Sequence, residues 1–223
     1  MHTEVKQIEL ATSALAKQFT DYKVQSVPVG YSYWNRAVNI FFGLCGALIL
    51  LLFLPVLALL IFIDSPGPIF YNQERLGYQG RLFRIYKFRT MQRDTDCTAH
   101  TLWAQVADPR VTHVGRCLRS THLDELPQTW NILCGDMSMI GPRPELPIFS
   151  AKLEKAIPDY TCRVAVKPGL TGLAQVRHHY GDTTEDERIK LGYDLHYIQH
   201  RSIALDFKII CETVSEVVCG RGR

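Results

Sequence analysis

No charged residue occurs between Ala37 and Ile63, and the rest of the chain lacks the features that would place it in several common classes. Seven cysteines are scattered through it, and no two stand in the C-x-x-C spacing of a zinc site or a redox dithiol. An odd, dispersed set fits free thiols in a reducing compartment. The net charge of +3 and the 21% content of charged residues are ordinary, so nucleic acid is not expected as a partner. No internal repeat or low-complexity tract points to a solenoid or a disordered array. A secretory signal is absent too. The first thirty or so residues are mixed and polar, and they end in the stretch Pro28 to Ser32 before any apolar run begins. At 223 residues one domain plus an appendage is the expected organisation, with its bulk in the cytosol.

What the sequence does contain begins with the uncharged run itself. Asn39 is its single strongly polar residue, and its length of about 27 residues exceeds the roughly 20 that cross a bilayer core. Few helices of soluble proteins are apolar all round for so long. Pro55 lies inside the run, where a missing N–H and a clash with the preceding turn predict a bend near Leu54. Basic residues flank both ends: Lys17, Lys23 and Arg36 before, and Arg75, Arg81, Arg84, Lys87 and Arg89 after. A spanning helix usually shows a basic bias on one side only. A helix that enters, breaks at Pro55 and returns to the same face accounts for both features. A tilted spanning anchor with a proline kink stays open on these residues.

Asp64-Ser65-Pro66-Gly67-Pro68 marks the exit from the apolar run. Ile69 to Gln73 and Leu82 to Thr90 flank the turn Gly77-Tyr78-Gln79-Gly80 and predict a β-hairpin. Strand alternation puts Lys87 and Arg89 on one face, with Phe88 and Thr90 on the other. Asp94 to Asp108 is expected to be loop with a short helix. Val111 to Leu133 has a helical pattern interrupted by Pro127, and Gly135 to Pro147 is expected to be a loop centred on Gly141-Pro142-Arg143-Pro144. Near the end Ile203, Phe207, Ile210, Val214 and Val217 recur at helical spacing. Such a stripe packs on a core or lies in a membrane interface.

Candidate chemistry centres on the adjacent carboxylates Asp124 and Glu125. Thr121-His122-Leu123-Asp124 also matches a helix-capping pattern, in which the acid only answers orphan amides. The alternative is catalytic, because Lys87, Arg89 and Arg143 could bind a diphosphate and arginine suits two-pronged phosphate contacts. One carboxylate would then act as a nucleophile and the other would hold a divalent ion. Magnesium is the natural choice for oxygen donors and substrate phosphates.

Taken together, Leu54-Pro55, Asp64 to Pro68, Gln73-Glu74-Arg75-Leu76-Gly77, Tyr86-Lys87-Phe88-Arg89-Thr90-Met91, Leu123-Asp124-Glu125-Leu126-Pro127-Gln128, Gly135-Asp136-Met137-Ser138, Gly141-Pro142-Arg143-Pro144 and Lys167 to Val176 carry a further signal. In order and content the chain resembles the bacterial sugar transferase family, the monotopic phosphoglycosyl transferases, from about Tyr33 to Val218. The resemblance implies that Asp124 attacks the β-phosphate of a UDP-sugar donor, releasing UMP and leaving a sugar-phosphoryl aspartate. A polyprenyl phosphate acceptor, undecaprenyl phosphate, then takes the group, as the first step of a bacterial surface glycan or exopolysaccharide. Glu125 would help hold Mg2+, and Lys87, Arg89, Arg119 and Arg143 match basic positions expected to meet phosphates. Asp194 matches an acidic family position with no role readable from the sequence. The family's membrane element is a re-entrant helix broken at a proline, here Pro55. Asn35-Arg36 and Asn39 depart from the Lys-Arg and later acid that many members carry at the membrane entry.

The expected architecture is therefore α+β, mainly helical with a small β-hairpin. It comprises a leader (1–32), a re-entrant membrane helix (33–64) and a cytosolic catalytic domain (65–223) with a C-terminal amphipathic helix. Larger relatives add spanning helices and a second domain before this unit, and this chain is expected to hold the catalytic unit alone. Membrane lipid is an expected partner on the cytoplasmic face of a bacterial inner membrane, and a homodimer is left open. Rival readings are a non-catalytic membrane scaffold and a membrane-bound hydrolase, which would turn over without a lipid acceptor.

Overall fold

The computed structural model describes residues 28–92, 108–178 and 183–219. The leader up to residue 27 and most of the expected 94–108 loop lie outside the described residues.

A single helix, α1 (Val29–Asp64), starts earlier than the expected residue 33 and ends where the Asp-Ser-Pro-Gly-Pro turn requires. Pro55 lies inside it, with no N–H to offer the carbonyl of Leu51. Its 36 residues would make a rod of roughly 54 Å, against a hydrocarbon thickness of about 30 Å. Among the described residues it is the one helix long and apolar enough to cross a membrane.

The two flanks of α1 differ. Tyr31, Asn35, Asn39, Gly43, Gly46, Leu50, Leu54, Leu57 and Ile61 recur every three or four residues and form the flank turned to the rest of the chain. Leu44, Leu48, Leu51, Leu52, Leu59 and Ile63 on the other flank are exposed. Asn39 has a specific use. Its Oδ1 accepts hydrogen bonds from the Met139 amide at 2.7 Å and the Ser138 hydroxyl at 3.0 Å. At one end Tyr31 donates to Asp206 at 3.3 Å, and at the other the Asp64 carboxylate accepts from the Val114 amide at 2.8 Å.

The expected hairpin forms from β1 (Phe70–Leu76) and β2 (Leu82–Phe88), paired antiparallel across a 3-10 turn at Tyr78–Gly80. Gln79 and Gly80 take positive φ there. The expected helical stretch resolves into α2 (His113–Ser120), a 3-10 segment (Leu123–Gln128) and α3 (Thr129–Cys134). Leu123 and Leu126 pack with Leu57, Ile61, Phe88 and Leu118, so the carboxylate pair is built directly on α1.

The expected 135–147 loop contains a strand, β3 (Ser138–Ile140), which pairs in parallel with β4 (Gly169–Thr171). Three-residue strands leave no periodicity to read. The pairing is made close by glycine, since a Cβ at Gly169 would lie 2.1 Å from the Gly141 nitrogen. The remaining elements are α4 (Pro147–Ala156), a 3-10 segment (Tyr160–Ala165), α5 (Leu173–Arg177), α6 (Thr184–His200) and α7 (Ile203–Val218).

One of the two readings of the C-terminal stripe is corrected. Of the stripe only Ile210 packs on the core; Ile203, Phe207, Val214 and Val217 are exposed, and α7 rests on Leu205, Asp206, Ile209 and Ile210. Asp206 can face inward because the hydroxyls of Tyr31 and Tyr197 donate to its carboxylate. That leaves the apolar stripe outward, beside a helix whose own outer flank is apolar.

Close approach of α1 to α3 depends on Gly46, where a Cβ would stand 2.3 Å from Thr129 Cγ2. Gly46→Ala gains up to ~1 kcal/mol of helix propensity but forces an overlap costing about 1–3 kcal/mol. Thermal unfolding in detergent should show a net loss, and Thr129→Ser in the same background should recover it.

Candidate active site

Three elements converge on the carboxylate pair. β2 brings Lys87, the 3-10 segment brings Asp124 and Glu125, and the loop after β3 brings Arg143. Lys87 Nζ and Arg143 Nη2 both donate to Glu125 Oε1, each at 2.6 Å. Phe88, next to Lys87, points the other way into the core against α1. Strand alternation thus places the charge and its support together.

The capping explanation of Asp124 does not hold. The Thr121 hydroxyl donates back to the carbonyls of Cys117 and Leu118, and His122, with φ of 57°, opens the 3-10 segment without a side-chain cap. Asp124 is 8% exposed, and its carboxylate accepts no hydrogen bond from the described residues. Burial pushes this carboxyl above the usual carboxylate range. Lys87 pulls it back, Glu125 raises it again, and Arg119 and Arg143 add smaller opposing pulls. Glu125 is held the other way. Burial alone would raise it, yet the Arg143 and Lys87 cations overcome that and keep it well below the ordinary range. The pair therefore divides into an acid fixed as an anion by two cations and a more basic neighbour with free acceptor capacity.

The other expected site residues are placed differently. Arg119 on α2 donates from Nε to Thr90 Oγ1 at 2.9 Å, and its charge is felt at Asp124. Arg89 lies past the end of β2, where alternation no longer governs, and its buried guanidinium donates to the carbonyls of Ser65 and Pro66. The turn that follows α1 wraps around it. Asp194 on α6 does not join the carboxylate pair. Its fully buried side chain takes Arg163 Nε at 2.7 Å, and burial, opposed by Arg163, lifts it to about 6. Pro55 is in α1, below the cluster that supports Asp124.

Sequence reasoning missed Arg163, Arg75, Tyr197 and Asp206. A polar residue in the middle of an apolar helix pattern was a usable signal for Asp206, as it was for Asn39. Nothing in the spacing distinguishes Arg163 from a surface arginine.

Among the described residues no group of three His, Cys, Asp or Glu side chains could hold a metal by itself. Two adjacent carboxylates do suit Mg2+, a hard ion that takes one or two carboxylates and completes its shell with water and substrate phosphate.

Comparison with known proteins gives a concordant picture. A model of the family described as bacterial sugar transferase matches residues 30–220. The chain is 41% identical over 195 residues to the UDP-N-acetylgalactosamine-undecaprenyl-phosphate N-acetylgalactosaminephosphotransferase of Aeromonas hydrophila, covering 86% of this chain and 45% of that protein. It is 41% identical over 194 residues to the exopolysaccharide production protein PSS of Rhizobium leguminosarum bv. phaseoli, with 84% and 97% covered. Identity to the UDP-glucose:undecaprenyl-phosphate glucose-1-phosphate transferase of Escherichia coli K12 is 42% over 174 residues, 76% of this chain and 37% of that one. The chain thus spans less than half of two of these relatives and nearly all of the third.

The raised carboxyl of Asp124 has a consequence for stability. A folded value above the ~3.9 of an unfolded aspartate means the native state binds the proton more tightly, so stability is lost as pH rises through that window. Asp124→Asn should therefore raise the melting temperature at pH 7 and leave it near wild type below about pH 4. Scanning fluorimetry at the two pH values tests this, and an equal loss at both would make the carboxylate a structural support.

Proposed function

The chain belongs to the bacterial sugar transferase family, and from that premise and the Asp124–Glu125 site we propose that it moves a sugar 1-phosphate from a UDP-sugar to a polyprenyl phosphate through a covalent intermediate on Asp124. The observation that carries this reading is the pinning of Lys87 and Arg143 on one oxygen of Glu125, beside a buried Asp124 that has no hydrogen-bonded partner among the described residues.

The donor diphosphate meets Lys87 and Arg143, whose charges Glu125 holds in register until the phosphate oxygens compete for them. Arg119 on α2 lies close enough to Asp124 for the two charges to interact. An Asp124 oxygen attacks the phosphorus that bears the sugar, and the bond from that phosphorus to the bridging oxygen breaks. The electron pair leaves with UMP. The product on the protein is a mixed anhydride, and an oxygen of the lipid phosphate attacks its phosphorus and returns Asp124 as a carboxylate. The balance is UDP-sugar plus polyprenyl phosphate giving UMP plus polyprenyl diphosphate sugar. Asp124 suits the first step because its raised basicity makes the ionised oxygen a better nucleophile. Glu125, with Asp124 beside it, would hold Mg2+, which supplies charge neutralisation at the diphosphate oxygens.

A monotopic, re-entrant placement on the cytoplasmic face of the bacterial inner membrane belongs to this reading. Its support is that one flank of α1 is bound along its whole length by the charged domain, with Tyr31 and Asp64 tied at opposite ends. A straight crossing would carry α7 or α2 through hydrocarbon. The exposed stripe of α7 gives the domain a second apolar contact with the interface.

Two outcomes follow. In nanodiscs with Mg2+ and a panel of UDP-sugars, the matching donor should release about one UMP per active site and then stall until polyprenyl phosphate is added. Continuous UMP release without acceptor would instead identify a hydrolase, and Asp124→Asn should release none. In sealed vesicles, single cysteines at Ser32 and Glu74, in a background without native cysteines, should be labelled from the same side. Labelling from opposite sides would make α1 a spanning helix.

A further inference from the structure

Arg143 stands between two prolines that have no N–H to brace a loop, yet four consecutive carbonyls of that loop are held from outside. The Gly169 amide donates to Pro142 O at 2.8 Å and the Leu76 amide to Glu145 O at 2.9 Å. Arg75 Nη1 donates to Pro144 O at 3.2 Å. Arg163 Nη2 donates to the carbonyl of Arg143 itself, at 3.3 Å.

Of these donors Arg163 is the most constrained. It is 7% exposed. Its Nε meets Asp194 at 2.7 Å and its Nη1 meets the Tyr160 hydroxyl at 2.6 Å. That hydroxyl in turn donates to Glu187, whose other oxygen takes Lys190 at 2.8 Å. A buried ion pair adds little stability over a well-packed apolar pair of the same volume. This one does not close on itself. Arg163 Nη2 reaches one backbone atom, in the residue whose side chain pins Glu125, and its Nη1 also stands 3.6 Å from the Glu145 carboxylate of the same loop.

We propose that Arg163, fixed by Asp194, is a positioning residue that sets where the Arg143 guanidinium stands over the carboxylate pair. The inference rests on the reading that Arg143 meets the donor diphosphate. It gives Asp194 a role at one remove: α6 holds Asp194, Asp194 holds Arg163, and Arg163 holds the loop. Lysine cannot replace Arg163, since one ammonium cannot serve Asp194, Tyr160 and the Arg143 carbonyl together.

The test uses full-length protein in nanodiscs and compares Arg163→Lys, Asp194→Asn, Arg143→Ala and the Arg163→Lys/Arg143→Ala double variant. Arg163→Lys should lower kcat/KM for the donor on the order of 100-fold, as a misplaced binding group does. In the Arg143→Ala background the same change should cost less than about two-fold, because residues acting through one another are not additive. Multiplicative losses would overturn the proposal, as would full turnover in both Arg163→Lys and Asp194→Asn. Hydrogen exchange supplies a readout independent of turnover. The amides of Leu76 and Gly169, which donate to the loop carbonyls, should exchange about 10-fold faster in both single variants while the buried flank of α1 is unchanged. Unchanged exchange at both amides would refute the strut. A loosened loop in a protein that turns over no UDP-sugar would count against the functional reading and leave the strut standing.

Discussion

The two flanks of α1 place opposite demands on the same 36 residues, and the rest of the fold answers them. The outer flank exposes leucine, isoleucine, phenylalanine and valine side chains and is too apolar and too large to be left to water. The inner flank must bring a charged domain against that same helix, and it does so with a short sequence of solutions. Asn39 satisfies the edge of β3, Gly43 and Gly46 admit α3 at close range, and Leu57 and Ile61 form the floor beneath Leu123 and Leu126. The carboxylate pair is therefore fixed relative to α1 by packing, without a flexible tether. In the proposed reaction a site anchored this way meets a water-soluble donor on one side and a lipid phosphate on the other.

Charge placement at the site follows a different logic from stability. Glu125 takes two cations on a single oxygen, and because Arg143 is nearly half exposed to water the arrangement adds little to stability. The arrangement is better explained by what it holds ready. Lys87 comes from the hairpin and Arg143 from a loop far along the chain, and in the proposed reaction Glu125 aligns both before the donor phosphate arrives. Asp124 is left as the basic member of the pair. A network behind it, from Lys190 through Glu187, Tyr160 and Arg163, joins the loop to α6.

Much of this organisation is legible in the sequence, for identifiable reasons. Gly77 to Gly80 and the aromatic strands around it specify the hairpin locally, and the uncharged run specifies one long apolar helix by its length. The Asp-Glu pair and the Pro-Arg-Pro loop are short motifs whose side chains act near their own backbone. Features that depend on distant partners were not legible. Arg89 was expected to share a phosphate-facing surface with Lys87, but the strand ends one residue earlier and the turn at Ser65 and Pro66 takes its guanidinium. The stripe on α7 was readable, but which flank packs depends on Tyr31 and Tyr197 reaching Asp206. The β3–β4 pair rests on three residues a side and on glycine contacts between remote segments.

The central claim is a covalent bond from phosphorus to Asp124, and intact-protein mass spectrometry followed by peptide mapping reads it directly. With the matching UDP-sugar and no acceptor, wild-type protein should gain the mass of one sugar phosphate on the peptide that contains Asp124, and adding polyprenyl phosphate should remove it. UMP release without any adduct, or an adduct on a different residue, would contradict the account.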